Sequence, residues 1–364
     1  MDFVNLREKM LGNIFGRAAL RTAEFFYTLA VKLNLYAFKK EWKRARGVNT
    51  RVVCIGNITT GGTGKTTAVM LAASQLAKAG IRASIVTRGY KRKGRKKNDI
   101  TVLFDQESLT WRETGDEPYM MSQLLAEYKV PLVISADRYA AANEALKQFK
   151  SQVIVLDDGM QHHRLRRDAD IVLIDAKNPF GGGHLLPYGT LREPLTALKR
   201  ASLAVITHSN LVPARNVEDI KDKIREINDD IEIITAAHKP DYFFDLANKK
   251  RLGLDALKGD VAAFSAIGEP ASFEQTIKNL GLNLKQSWRF TDHAAYTLED
   301  LQNFQTLRGN LPLITTFKDA VKLPEGWQDI IKDKIYILAV NMEIQDKGLP
   351  KFMEVLYPGF GKRK

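Results

Sequence analysis

The chain has 364 residues, of which 45% are hydrophobic and 27% charged. That suits two packed domains with room for a third, and it excludes a mainly disordered, collagen-like or low-complexity chain. Against 42 acidic side chains stand 55 basic ones, a surplus of 13 positive charges, so the expected partner is anionic: nucleic acid, an acidic membrane face or a phosphorylated small molecule.

A single cysteine, Cys54, excludes an internal disulfide framework and a cysteine zinc site, and fits a reducing compartment. No uncharged apolar run approaches the roughly 18–20 residues that span a bilayer. The first turns carry Asp2, Arg7, Glu8 and Lys9, which is not the pattern of a secretory signal. The chain is expected in the cytoplasm or on a membrane surface.

In chain order, residues 1–46 read as helix. Met10, Leu11, Ile14, Phe15, Ala18 and Ala19, then Phe25, Phe26, Leu29, Ala30 and Leu33, recur at three- and four-residue steps and so share one face. Tyr36, Phe38, Lys39, Lys40, Trp42, Lys43, Arg44 and Arg46 follow, an aromatic and basic mix that suits an anionic bilayer interface. The competing reading is a helix docked on the protein's own core.

From Arg51 the pattern changes. Short β-branched runs (51–55, 81–86, 100–104, 131–135, 153–158, 170–175, 203–207 and 231–235) alternate with helical stretches that include ones from about Lys65 and Asp137. Continuous apolar strands between helices predict a parallel sheet covered on both faces. A second set, at 261–266, 284–290, 312–317 and 335–340 with a helix from about Ser272, predicts a smaller α/β domain. The expected organisation is an amphipathic segment 1–47, a P-loop core 48–235, a linker or ribbon 236–256 and a second α/β domain 257–364.

The most specific motif is Gly56-Asn57-Ile58-Thr59-Thr60-Gly61-Gly62-Thr63-Gly64-Lys65-Thr66-Thr67, which leaves a strand and opens a helix. Glycines let backbone N–H groups curl around phosphate oxygens, and the helix N-terminus adds positive potential. Residues Thr59 to Thr67 are expected to hold a nucleotide, with Lys65 on the β- and γ-phosphates and the Thr66 hydroxyl on Mg²⁺. The usual pattern places a glycine where this chain has Thr59.

Next comes 87–97, with seven basic side chains out of eleven and no acid, read as a solvated loop or an anion-binding one. Gly115-Asp116-Glu117-Pro118 opens another helix. Acids there are common caps, yet phosphoryl transfer to an alcohol needs a carboxylate to take the hydroxyl proton, which Asp116 or Glu117 could supply. Val153-Ile154-Val155-Leu156-Asp157-Asp158-Gly159 is a β-branched strand ending in acid, downstream of a P-loop. That is the pattern of a carboxylate that holds Mg²⁺, although a cap followed by a turn glycine reads alike.

Together these stretches, with Gln161-His162, Leu165-Arg166-Arg167-Asp168 and Leu185-Leu186-Pro187-Tyr188-Gly189-Thr190-Leu191-Arg192-Glu193-Pro194, resemble the signature of the tetraacyldisaccharide 4′-kinases, the lipid A kinases. The resemblance runs over about residues 1–345, and Thr59 is a feature of that family too. It implies two α/β P-loop-like units with a cleft between them. It also implies ATP- and Mg²⁺-dependent phosphorylation of the 4′-hydroxyl of a tetraacylated glucosamine disaccharide 1-phosphate. It implies peripheral attachment to the cytoplasmic face of the inner membrane through the N-terminal helix, and neither nucleic acid nor an obligate protein partner.

Carried over by residue, the likeness implies Lys65 and Thr66 for ATP and Mg²⁺, Glu117, Asp157 and Asp158 around the metal, and Asp116 as the base. It implies His293 as the partner of that acid across the cleft, and Arg88, Tyr90, Arg138 and Arg192 for substrate or phosphate. On physical grounds, domain closure with both substrates bound is the expected movement that joins His293 to Asp116. Three positions depart from the family pattern: Thr67 and Thr190 stand where relatives commonly carry proline, and the histidine doublet after Asp292 is reduced to His293-Ala294. The alternative class is a P-loop switch or assembly ATPase acting on a protein partner. A nucleic-acid ATPase is the third reading, and the chain carries no recognised nucleic-acid module.

Overall fold

The computed structural model describes residues 3–360 apart from 91, 95, 97 and 106–108. Lys91, Arg95 and Lys97 of the basic run, and the basic terminus 361–364, therefore lie outside the described residues.

Two helices open the chain, α1 (Phe3–Leu11) and α2 (Ile14–Lys39), where one was expected. Asn13 makes the break: its side chain accepts a hydrogen bond from the Gly16 amide at 2.7 Å and caps α2. Of α2 only Gly16 and Leu20 are buried. Phe15 is 85% exposed, Phe25 66% and Phe26 63%, so the apolar face does not dock on the protein's own core.

The strands of the first half are β1 (Arg51–Asn57), β2 (Ala83–Thr87), β3 (Thr101–Leu103), β4 (Leu132–Ile134), β5 (Val153–Asp157), β6 (Ala169–Asp175) and β7 (Leu203–Thr207). Then come β8 (Glu232–Asp245), β9 (Lys250–Leu252), β10 (Asp260–Ser265), β11 (Asn283–Arg289), β12 (Leu313–Thr315) and β13 (Ile335–Ile344). Among the described residues they form one continuous sheet in the order β11-β10-β12-β13-β8-β7-β6-β1-β5-β2-β4-β3, with β9 on β8. The pairing is parallel through both halves except at the β3–β4 edge and around β8, which runs antiparallel to β13 and β9; the parallel majority is what the alternation of apolar strands and helices predicts.

The alternating side chains explain why both faces are dry. Val53, Ile55, Val153 and Val155 enter one core, under α3 (Lys65–Lys78), while Val52, Cys54, Ile154 and Leu156 enter the other, under the helix at 138–149. The second half has its own two cores, one around Phe243 and Ile277 and one around Phe264 and Phe304.

The halves are joined by β8. Residues 232–235 pair parallel with β7, and 236–245 pair antiparallel with β13, so a single strand leaves one half and enters the other. The chain after β13 does not stay with the second half, to which the sequence reading had assigned it. The helix Leu349–Leu356 returns to the first core, where Phe352, Met353 and Leu356 are buried and the Arg51 side chain donates to the Val355 and Leu356 carbonyls.

Candidate active site

In both halves the chemistry sits where parallel strands end, the edge at which an α/β sheet offers loop amides and helix N-termini. The loops after β1, β2 and β5 and those after β11 and β12 face one cleft of about 2460 Å³.

The phosphate loop runs from β1 into α3. An added Cβ at Gly61 or Gly62 would meet nothing within 4 Å, so this turn of the loop borders open space, and both residues line the cleft. Gly64 adopts φ +80°, and a Cβ there would lie 2.4 Å from the His238 ring; only glycine fits. Lys65 Nζ lies 3.3 Å from Asn57 Oδ1, and Asn57 donates to Thr63 Oγ1 at 3.0 Å. Thr66 stands in the first turn of α3.

Thr59 and Thr60 are bound to the facing segment, Thr60 through its amide to the Thr190 carbonyl at 2.7 Å. Thr67 was expected at the cofactor, but its hydroxyl serves the loop. It donates to the Gly64 carbonyl at 2.8 Å and therefore accepts from His238 Nε2 at 2.8 Å.

The acids stand opposite. Asp157 is buried and accepts a hydrogen bond from Thr87 at 2.8 Å. Burial, with the charges of Glu117 and Asp158 beside it, pushes its carboxyl up to about 7. Asp158 follows at φ +48°, a strained conformation for a side chain that a functional site can retain. Burial opposes its charge, but Lys65 and Arg192 outweigh burial and hold the carboxyl below the ordinary range.

Arg192 Nη1 meets both Asp158 oxygens, at 2.8 and 2.9 Å, so this arginine is engaged with the metal-candidate acid. Arg138 is buried with its Nε unpartnered among the described residues, and Arg88 and Tyr90 also line the cleft.

Across the cleft lies His293, in the loop after β11, at φ +66°. Its Nδ1 is 2.7 Å from Asp116 Oδ2, so the pair is formed without the closing movement the sequence reading invoked. Asp116 opens the helix Asp116–Leu124 behind Gly115, whose φ of +96° leaves a Cβ only 3.1 Å from the Tyr90 carbonyl. Burial disfavours the Asp116 carboxylate, but the His293 hydrogen bond and the Lys318 charge prevail and lower its pKa. Tyr90 packs edge-on to the His293 ring at 6.0 Å.

Glu117, read from the sequence as standing with Asp157 and Asp158 around the metal, is close enough for its charge to bear on Asp157. Among the described residues no three acidic, histidine or cysteine side chains converge as a ready metal site. Glu117 also pairs with Lys318 at 3.3 Å.

Sequence reasoning missed Lys318. It follows β12 and bridges Glu117 and Asp292 (3.1 Å), with His293 Nε2 at 3.5 Å. Burial opposes its charge, and the Glu117, Asp292 and Asp116 carboxylates more than restore it. Reasoning from spacing also gave His208 and His238 no signal. His208 pairs with Asp175 at 3.0 Å and stacks on His238, behind Gly64.

This geometry brings a nucleotide loop, two strand-end acids and a carboxylate–histidine pair into one cleft. The family model described as Tetraacyldisaccharide-1-P 4'-kinase matches residues 16–357. A Tetraacyldisaccharide 4'-kinase of Elusimicrobium minutum (strain Pei191) is 55% identical over 361 residues, covering 99% of this chain and 96% of that one. Its counterpart from Halothermothrix orenii is 35% identical over 353 residues, covering 93% and 91%. The crystal structure of the "apo" form of LpxK from Aquifex aeolicus in complex with ATP is similar at a TM-score of 0.74 and 27% identity, covering 94% of this chain and 99% of that one. The chain belongs to the tetraacyldisaccharide 4′-kinase family.

Proposed function

We propose that this cleft transfers the γ-phosphate of ATP to the 4′-hydroxyl of a tetraacylated glucosamine disaccharide 1-phosphate, giving lipid IVA in lipid A biosynthesis. The observation that carries the reading is the Asp116–His293 pair at 2.7 Å in the same cleft as Lys65. A switch or assembly ATPase needs no such pair to orient and deprotonate an alcohol.

Asp116 accepts the hydroxyl proton as the oxygen attacks the γ-phosphorus, and His293 orients Asp116 and shares that proton. Lys65 and the loop amides bind the polyphosphate and stabilise its charge. Arg88, Tyr90 and Arg138 face the cleft, and the unpartnered Arg138 Nε suits an anionic group of the substrate.

Mg²⁺ is the expected cofactor, and the donor set fits it. Asp157 and Asp158 with the Thr66 hydroxyl supply a few hard oxygens, and phosphate oxygens complete such a site. The elevated Asp157 carboxyl, crowded by two other acids, marks a place where a cation is favourable. The ion supplies neutralisation of the phosphate charge.

An acylated substrate stays in the bilayer, because each buried CH₂ contributes about 0.8 kcal/mol. No helix among the described residues is long and apolar enough to cross a membrane. The exposed Phe15, Phe25 and Phe26 of α2, with the basic residues that follow, support peripheral docking on the anionic inner-membrane surface.

The test is transfer of labelled γ-phosphate to the lipid disaccharide in mixed vesicles, measured beside bare ATP hydrolysis. Lipid labelling in excess of hydrolysis is expected. Hydrolysis without lipid product refutes the reading.

A further inference from the structure

The N-terminal helices are bonded into the wall of the cleft. Glu24 Oε1 accepts from the Leu185 amide at 2.9 Å and meets His184 Nδ1 at 3.1 Å. Arg7 donates to the Pro187 carbonyl at 3.0 Å and the Tyr188 carbonyl at 2.9 Å. The Tyr27 hydroxyl donates to the Arg192 carbonyl at 2.9 Å, and Tyr27 itself lines the cleft.

The segment they grip belongs to the nucleotide site. The Arg192 amide donates to the Ile58 carbonyl at 2.7 Å, on the phosphate loop. The Arg192 main chain is thus held through its amide by the loop and through its carbonyl by Tyr27. From that fixed point its side chain reaches Asp158. A long side chain has about 2 kcal/mol of rotamer entropy to lose, so a fixed starting point decides how often it reaches its target.

We propose that Tyr27 is a positioning residue of the phosphoryl-transfer site: it fixes the Arg192 main chain, and through it the guanidinium on Asp158. This rests on the kinase reading above. One helix thus does two jobs on consecutive residues. Phe25 and Phe26 point outward while Tyr27 points into the cleft, as the 100° step per helical residue allows. Seating α2 on a bilayer therefore also bears on the nucleotide site.

The test uses the full chain, Mg²⁺ and a fluorescent ATP analogue, with no lipid present. Tyr27→Phe removes only the hydroxyl and keeps the ring. Its Kd for the analogue is expected to rise about threefold to tenfold, the effect of one hydrogen bond, because a loosened Arg192 leaves the Asp158 charge facing the polyphosphate. The thermal midpoint falls by no more than about 2 °C, the cost of the same hydrogen bond, and binding to 3:1 phosphatidylethanolamine:phosphatidylglycerol vesicles stays as in the wild type. In an Arg192→Ala background the same change adds less than about twofold, since the group it positions is gone.

An unchanged or lower Kd for Tyr27→Phe overturns the proposal, and so does an equal effect with and without Arg192. A wild-type chain that fails to bind the analogue at all refutes the kinase reading itself, a separate result.

Discussion

Replacing His293 with alanine probes the proposed role of the Asp116–His293 pair directly. The imidazole makes a short hydrogen bond, 2.7 Å, to a carboxylate that is only 7% exposed. Hydrogen bonds to charged groups are worth about 1.5–3 kcal/mol. Realised in full at the transition state, that range corresponds to roughly 10- to 150-fold in rate. General acid–base assistance as a whole supplies about 10²–10⁴-fold.

Lys318 and the Glu117 amide remain beside Asp116 in the variant, so the carboxylate keeps part of its support and loses its proton partner. Turnover is expected to fall about 10²-fold, with the KM for ATP within about twofold. Among the described residues the His293 ring meets Asp116, Asp292, Lys318 and Tyr90, none of them in the phosphate loop. The assay is initial-rate transfer of labelled γ-phosphate to vesicle-borne lipid over a range of ATP concentrations up to saturation. Turnover within threefold of wild type would refute the pair's role, and a loss confined to KM would reassign His293 to binding.

Two further outcomes follow from the same structure. Phe25→Ser with Phe26→Ser removes two exposed aromatic side chains, each worth on the order of 1–2 kcal/mol when buried in an interface, so vesicle partitioning should drop at least about tenfold in a sedimentation assay. Unchanged partitioning contradicts the docking face.

His238 is pushed down to about 3 by burial and by the charge of His208, whereas an unfolded histidine titrates near 6.5. The native state holds it neutral, so its contribution is full above pH 6.5 and is lost as pH falls. Between pH 7 and 5 the stability advantage of wild type over His238→Asn should shrink by up to ~2 kcal/mol in urea titrations. A constant difference would show that His238 gains protons in the native state.

What was legible in the sequence is what is locally encoded. The Gly-Gly-x-Gly-Lys loop, the strand ending in Asp157 and the alternation of strands with helices each depend on neighbours in the chain, and each stands where expected. The Asp116–His293 pairing, 177 residues apart, was legible only through family resemblance. Lys318 was not, since a lysine in a short turn carries no signal until the fold sets it beside Glu117 and Asp292.

The same holds for Arg192 on Asp158, a contact between two loops, and for His238 of β8 behind Gly64, far away in the chain. The break before α2 was readable in principle, because Gly12-Asn13 is a helix stop followed by a good cap, but the continuous apolar periodicity masked it. The return of 349–356 to the first core has no local marker. Its apolar face would suit either half.

One-step transfer within a single cleft is the centre of the proposed function: Asp116 would deprotonate the acceptor, and the γ-phosphoryl group would pass straight to it from ATP held by the Lys65 loop. The most direct measurement is the stereochemical course with ATP made chiral at the γ-phosphorus by oxygen isotopes. Inversion at phosphorus in the phosphorylated lipid is predicted. Retention would require a phosphorylated enzyme intermediate and would contradict the role assigned to Asp116.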